Sequence, residues 1–127
     1  FSIKTYDQFV SEKKQYDVIV SYSSIEHSGL GRYGDPIDHD GDVKAVDDIY
    51  NKLKSRGLFI LGVPIGPDCI VWNRHRIYGR IGIDRLLERF DHDNIISRYA
   101  IGSLHNMVDS KPPTHFIQPI TVFLKSD

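Results

Sequence analysis

The chain has 127 residues, enough to bury one hydrophobic core, so its length predicts a single domain over residues 1–127. Its 16 basic and 17 acidic side chains nearly cancel, which argues against a nucleic-acid-binding protein that relies on bulk charge. A single cysteine, Cys69, excludes an internal disulfide framework, and no apolar run reaches the length of a membrane span.

The first predicted elements are a short helix and a strand. Thr5 and Gln8 have the spacing of a capping box, in which the two side chains satisfy free amides at a helix start. Residues 16–22 form a β-branched run between polar residues, which predicts a buried strand. Residues 23–42 follow, with four glycines and five acidic side chains. Long loops in compact domains are usually functional or disordered, so this segment is a candidate site region.

Two helices and three strands are predicted beyond this loop. Asp42 can cap the first of these helices, and Gly57 follows its last turn. Two sets of apolar residues recur at helical spacing: Val43, Val46, Ile49, Tyr50 and Leu53 in one, and Ile83, Leu86, Leu87 and Phe90 in the other. Residues 57–63 are apolar on both faces, which is typical of a strand covered on both sides. Residues 95–101 and 120–124 predict two more strands.

This order of elements predicts an α/β fold with a partial doubly wound sheet. We expect about four strands, the last of them antiparallel, with helices on both faces. Ligands of such sheets collect beyond the carboxyl ends of the strands. Two polar segments, residues 23–36 and 64–78, occupy that place in the chain.

The motifs in these segments resemble a known class of enzymes. Residues 16–20 leading to Glu26-His27, then a helix and residues 53–64, resemble the second half of class I S-adenosylmethionine-dependent methyltransferases. In that class the fourth strand ends near the ligand, often with a Glu-His pair. The block GLGRYGDP at residues 29–36 is more specifically similar to an uncharacterised family first named from Caenorhabditis.

The resemblance implies a Rossmann-like methyltransferase domain that uses S-adenosylmethionine to methylate a small or sugar-like acceptor. Glu26 and His27 would position the acceptor or serve as general base. The residues expected to bind the substrate are Arg32, Tyr33, Asp35, Asn73, His75, Arg76 and Tyr78. The chain would correspond to the C-terminal part of such a domain, because it lacks the glycine-rich cofactor turn. The glycines of residues 29–34 do not fit a dinucleotide fingerprint, since no helix opens directly after them.

Several of these residues have a purely structural interpretation as well. Glu26 could pair with Arg32 or cap a turn, and Arg32 could instead brace the loop through Asp35 or Asp38. Helix capping and solvated loop charges explain the acidic residues of the loop better than a metal site does. We also expect Cys69 to be a small buried side chain and Trp72 to pack in the core. His92, His105 and His115 lack ligand spacing and are expected at the surface.

An alternative function is a non-catalytic remnant or interaction module that keeps the sheet without binding cofactor. In either case we expect a small-molecule substrate or a protein partner, with no nucleic acid and no membrane segment. If the strand that would pair with residues 17–22 is missing, these residues form an unpaired edge, and such an edge favours self-association.

Overall fold

The computed structural model describes residues 2–91, 94–110 and 116–127 and has a mixed α/β fold. The helices are α1 (Tyr6–Ser11), α2 (Gly41–Lys52), α3 (Arg80–Leu86), α4 (Glu88–Asp91) and α5 (Ile95–Asp109). The strands are β1 (Tyr16–Tyr22), β2 (Leu53–Gly62), β3 (Cys69–Val71), β4 (His75–Ile77) and β5 (Ile120–Leu124). The capping box of α1 is confirmed, because both the Thr5 and the Gln8 side chains accept from the partner amide.

The main sheet has three strands in the order β1-β2-β5. β1 and β2 are parallel and are joined through α2, whereas β5 pairs antiparallel with β2, so that Val20, Ile60 and Val122 lie side by side. The expectation of an antiparallel last strand is therefore confirmed. β3 and β4 form a separate antiparallel hairpin, so the expected single sheet of about four strands is wrong.

The segment predicted as a strand at residues 95–101 is part of helix α5 instead. Asn94 caps this helix by accepting from the Ser97 amide at 3.0 Å. Ala100, Ile101 and Leu104 share its buried face, and this spacing of three to four residues is helical. The β-branched residues that suggested a strand lie at the exposed start of the helix.

Described helices cover only one face of the sheet. Phe59, Leu61 and Phe123 point to this face and are buried in the core. Side chains of the opposite face, such as Val20 and Ile120, are exposed. The expectation of helices on both faces is thus wrong for the described part of the chain. β1 is predicted as a buried strand, but here it is an edge strand with one open side.

Two residues near the hairpin differ from expectation. Trp72 is 81% exposed because it lies in the turn between β3 and β4 rather than in the core. Cys69, at the start of β3, is a free and exposed thiol. His105 is half-buried beside Asp84, whereas His92 and His115 lie outside the described residues. Within the described ranges, no helix combines the length and the hydrophobicity needed to cross a bilayer.

Candidate functional site

The loop between β1 and α2 is held in place by the buried side chain of Arg76. One guanidinium nitrogen donates to the carbonyls of Glu26 and Ser28, at 3.4 and 2.5 Å. The other donates to the carbonyls of Asp38 and His39, both at 3.3 Å. Arg76 on strand β4 therefore fixes both ends of the loop, and a guanidinium engaged in this way does not face a ligand.

Asp42 forms the centre of a charged cluster below the loop. Its carboxylate is fully buried and accepts from the Tyr78 hydroxyl at 2.8 Å and from two nitrogens of Arg85 at 3.0 Å. The Nε atom of Arg76 lies 3.5 Å away. Burial, and then the Asp42 charge, raise the pKa of Tyr78 well above its usual range. These three partners neutralise a carboxylate that would otherwise be costly to bury.

Two expectations change at this cluster. Asp42 does not cap α2, because the helix begins at Gly41 and the Asp42 side chain turns into the core. Arg76 and Tyr78 lie beneath the loop and not on its ligand-facing side. Arg85, a main partner of Asp42, was not among the predicted site residues.

Gly29 and Asp35 close the loop on itself. Asp38 donates its amide to the Gly29 carbonyl at 2.8 Å, and the Gly29 amide donates to Asp35 Oδ2 at 2.7 Å. Gly29 has a φ of +79°, and a Cβ atom at this position would lie 2.1 Å from the Asp38 carbonyl oxygen. Burial raises the pKa of Asp35, but amide donors led by Gly29 outweigh it and lower the pKa overall. Asp35 thus stabilises the loop conformation.

A cleft of about 740 Å³ opens between this loop, α1 and α2, at the carboxyl end of β1. Its walls combine hydroxyl, imidazole, phenol and carboxylate groups, which include Ser23, Ser24, His27, Tyr33, Asp35 and Asp48. Groups of this kind can hold a small polar molecule by hydrogen bonds. The serines, Asp48 and the α1 residue Tyr6 were not predicted, although the serines directly follow the strand end.

Glu26 and His27 lie together in the short 3₁₀ turn Ile25–His27, where His27 lines the cleft and Glu26 is buried beside it. His27 Nδ1 contacts the Arg74 carbonyl, which can only accept, so we assign the ring hydrogen to Nδ1. Nε2 is then the site at which the ring takes up a proton, and it lies 3.7 Å from Glu26 Oε1. Glu26 is 1% exposed, and its Oε2 atom has no hydrogen-bond partner among the described residues. A buried carboxylate therefore stands beside an imidazole nitrogen.

Aromatic rings extend from His27 on two sides. The ring centroids of Tyr33 and His75 lie 5.7 and 6.1 Å from that of His27, both edge to face. Phe116 packs on the far side of His75 at 5.6 Å. Burial, with a further contribution from His27, lowers the pKa of His75. Burial therefore favours the neutral form of His75.

Arg32 and Asn73 form a contact between the loop and the β3–β4 hairpin. Arg32 Nη1 donates to the Asn73 carbonyl at 3.1 Å, and its guanidinium lies 5.9 Å from the Tyr33 ring centroid. Asn73 has a φ of +56° in the hairpin turn, a conformation that asparagine tolerates well. Arg32 therefore joins the loop to the hairpin, and it bonds neither Asp35 nor Asp38 among the described hydrogen bonds.

The predicted site residues thus fall into three groups. His27, Tyr33 and Asp35 line the cleft, while Glu26, His75, Arg32 and Asn73 lie next to this group without lining the cleft. Arg76 and Tyr78 stabilise the loop from beneath. In the ranges that the structure describes, no three His, Cys, Asp or Glu side chains are grouped as a metal ion would require.

Comparison with known proteins identifies a family. Neither the curated proteins nor the solved structures include a match to the chain. Residues 2–112 match the family described as "Caenorhabditis protein of unknown function, DUF268". The match includes β1, the whole loop with its GLGRYGDP block, α2, β2 and the hairpin that carries Arg76 and Tyr78. Because this match covers most of its length, the chain belongs to the DUF268 family.

Proposed function

We propose that the chain is a methyltransferase-like domain whose cleft holds a small or sugar-like acceptor. The observation that carries this proposal is the position of His27 at the cleft wall, with Glu26 buried beside it, shortly after the end of β1. This is where the resemblance to class I methyltransferases expects a Glu-His pair.

The arrangement of the sheet also supports a Rossmann-like origin. Two parallel strands connected through a helix, with an antiparallel last strand beside the second, are what that resemblance predicts. The cleft lies beyond the carboxyl end of β1, where open α/β sheets bind their ligands.

The residues at the cleft can supply the proton transfer that methylation of a hydroxyl needs. A hydroxyl acceptor has to give up its proton when its oxygen is methylated, so a side chain of the protein would have to take up that proton. The hydroxyl proton passes to His27 Nε2, beside the Glu26 carboxylate. Tyr33 forms the adjacent wall, His75 packs edge to face on the His27 ring, and Asp42, Arg76 and Tyr78 act as positioning residues that hold the loop.

Cofactor-binding residues are not assigned within this chain. S-adenosylmethionine would supply the methyl group when bound, and the class holds it mainly by a glycine-rich turn. Gly29 and Gly31 have φ values of +79° and +75°, but here they fold the loop against Asp38 and Ile37. The described residues therefore suit the acceptor side of a methyltransferase site better than its cofactor side.

A second candidate function is a non-catalytic interaction module. The open apolar face of the sheet favours this alternative, because large exposed apolar patches usually mark contact surfaces. Binding of S-adenosylmethionine distinguishes the methyltransferase-like domain from the interaction module, because only the first requires this cofactor.

The first test is isothermal titration of the full chain with S-adenosylmethionine and with its demethylated product. Saturable binding in the micromolar range would support the methyltransferase proposal, because it would reveal a cofactor site that does not depend on the usual glycine-rich turn. A chain that is folded by circular dichroism but gives no heat of binding would contradict the methyltransferase proposal and favour the interaction module.

Substitution of His27 then separates chemistry from binding. His27→Gln should leave cofactor affinity within about threefold. It should lower demethylated product formation with polyol or sugar acceptors by roughly 100-fold, the lower end of general-base contributions. His105→Gln, a half-buried histidine paired with Asp84 away from the cleft, is the matched control and should retain activity. Equal activity of both variants would contradict a role for His27 as base.

A further inference from the structure

The sheet has an open face that is apolar throughout, and it is independent of the cleft. It consists of three rows across the strands: Val18, Leu58 and Leu124; Val20, Ile60 and Val122; and Tyr22, Gly62 and Ile120. No charged side chain occurs among these nine residues. The most exposed members are Val18 at 48%, Val20 at 63%, Tyr22 at 55%, Ile120 at 68% and Val122 at 41%. We call these nine residues the open sheet face.

The open sheet face is also flat enough to pack against another layer. Tyr22 lies across Gly62 on β2, because a Cβ atom at Gly62 would be only 2.2 Å from the tyrosine ring. The large ring therefore lies along the sheet and does not stand out from it. Sheets that pack face to face need interdigitating apolar side chains at a spacing of about 10 Å, and three rows of Val, Leu and Ile provide them.

We infer that the open sheet face is a homodimer interface in which two copies of the chain pack sheet against sheet. Its exposed apolar area is on the order of 500 Å² per copy, which is within the range of functional patches on monomers. Two such faces together bury on the order of 1,000 Å², the lower limit for a specific interface. A face without charges requires an apolar counterpart, and a second copy offers an identical one in a self-complementary arrangement.

Stacking of faces accounts for this surface better than pairing of edges. The outer edge of β1 has no strand partner among the described residues, but its amides and carbonyls can bond water. Pairing β1 with β1 of another copy replaces hydrogen bonds to water by similar hydrogen bonds between strands, so the net gain is small. It also leaves Ile120 and Val122 on β5 exposed. Stacking covers all three rows at once, so the apolar side chains decide the geometry.

Analytical ultracentrifugation of the full chain over a wide concentration range tests this proposal. We expect a reversible monomer–dimer equilibrium. Val20→Lys and Val122→Lys, one on the edge strand and one on β5, should each raise the dimer dissociation constant at least tenfold. Tyr99→Lys is the matched control, since Tyr99 is an exposed apolar residue on α5 away from the sheet, and it should leave the constant unchanged. Circular dichroism should show that all three variants remain folded.

Three results would overturn the proposal. The first is a wild-type chain that stays monomeric at all concentrations, which would assign the face to a different occupant. The second is a dimer that persists in both lysine variants. The third is a dimer weakened only by Val20→Lys, with concentration-dependent protection from hydrogen exchange confined to β1, which would indicate edge pairing. Circular dichroism distinguishes a folded, monomeric lysine variant from a misfolded one. Loss of the dimer in a folded variant can therefore be attributed to the open sheet face.

Discussion

At the scale of single residues, Asp42 shows how a charge can be buried at little cost. Its two carboxylate oxygens receive donors from Tyr78 and Arg85, and Arg76 adds a nearby cation. Removing one member of a buried ionic group leaves the others unpaired in a medium that solvates charge poorly. The loop that carries Glu26 and His27 depends on the same arginines, so the cluster connects stability to the candidate site.

We therefore expect Asp42→Ala to lower the free energy of unfolding by about 3–5 kcal/mol, as measured in urea. Asp40→Ala is the matched control. The Asp40 carboxylate contacts Arg85 at 3.2 Å but is more than half exposed, and exposed ion pairs contribute about 0–1 kcal/mol. Equal losses in the two variants would show that burial of Asp42 is not the source of its contribution.

The sequence identified Asp42 only in part. An aspartate before an apolar helical stripe correctly indicated the start of α2, because acidic residues are favourable in the first turn. Its partners Arg76, Tyr78 and Arg85 lie 34 to 43 residues further along the chain. No local pattern relates residues at that distance, so the cluster could not be predicted.

At the scale of elements, the loop between β1 and α2 owes its shape to glycine. Gly29 and Gly34 both have a φ near +80°, which costs an L-residue roughly 1–2 kcal/mol. They differ in their surroundings, since a Cβ at Gly29 would overlap the Asp38 carbonyl while one at Gly34 meets nothing within 4 Å.

Alanine substitutions at these two glycines should therefore separate strain from steric overlap. We expect Gly34→Ala to cost about 1 kcal/mol in urea unfolding, from backbone strain alone. Gly29→Ala should cost at least about 2 kcal/mol more, because either the loop or the contact with Asp38 has to shift. Similar losses for both variants would contradict a close approach of Gly29 to Asp38.

Helix α5 is the element for which sequence reasoning was wrong. Ile95 and Ile96 suggested a strand because β-branched residues favour one. In the structure both are exposed, and the buried side is set by Ala100, Ile101 and Leu104. Over residues 95–101 alone, the β-branched pair favours a strand. Over the longer segment, the helical spacing of the buried residues and the Asn94 cap determine the structure.

At the scale of the whole molecule, three phenylalanines connect the helices to the sheet. Phe90 of α4 lies 5.5 Å, centroid to centroid, from both Phe59 of β2 and Phe123 of β5, and all three are fully buried. We expect Phe90→Ala to cost about 3–5 kcal/mol in urea unfolding. Tyr99→Ala, on the exposed side of α5, should cost within about 0.5 kcal/mol. A loss below about 1 kcal/mol for Phe90→Ala would mean that α4 is not part of the core.

The open sheet face lies on the side of the sheet opposite to this core. Covering apolar area on the order of 500 Å² on each copy contributes roughly 12 kcal/mol per copy before the cost of association. Edge pairing of the seven-residue strand β1 makes about six hydrogen bonds of about 0.5–1.5 kcal/mol net each, which is less than the contribution of two stacked faces. This difference in magnitude is why sheet stacking, and not the edge of β1, dominates the proposed dimer.

The sequence by itself determined the local elements: the capping box of α1, the strands β1, β2 and β5, the start of α2 and the apolar stripe through Phe90. It also indicated the Glu26-His27 pair and the loop that carries it. These features depend on neighbouring residues, whose periodicity and caps can be read along the chain. Only the tertiary structure decided that Arg76 and Tyr78 hold the loop from below, that His75 joins His27, and that one sheet face stays open. Those properties depend on contacts between residues far apart in the chain, which local patterns do not encode.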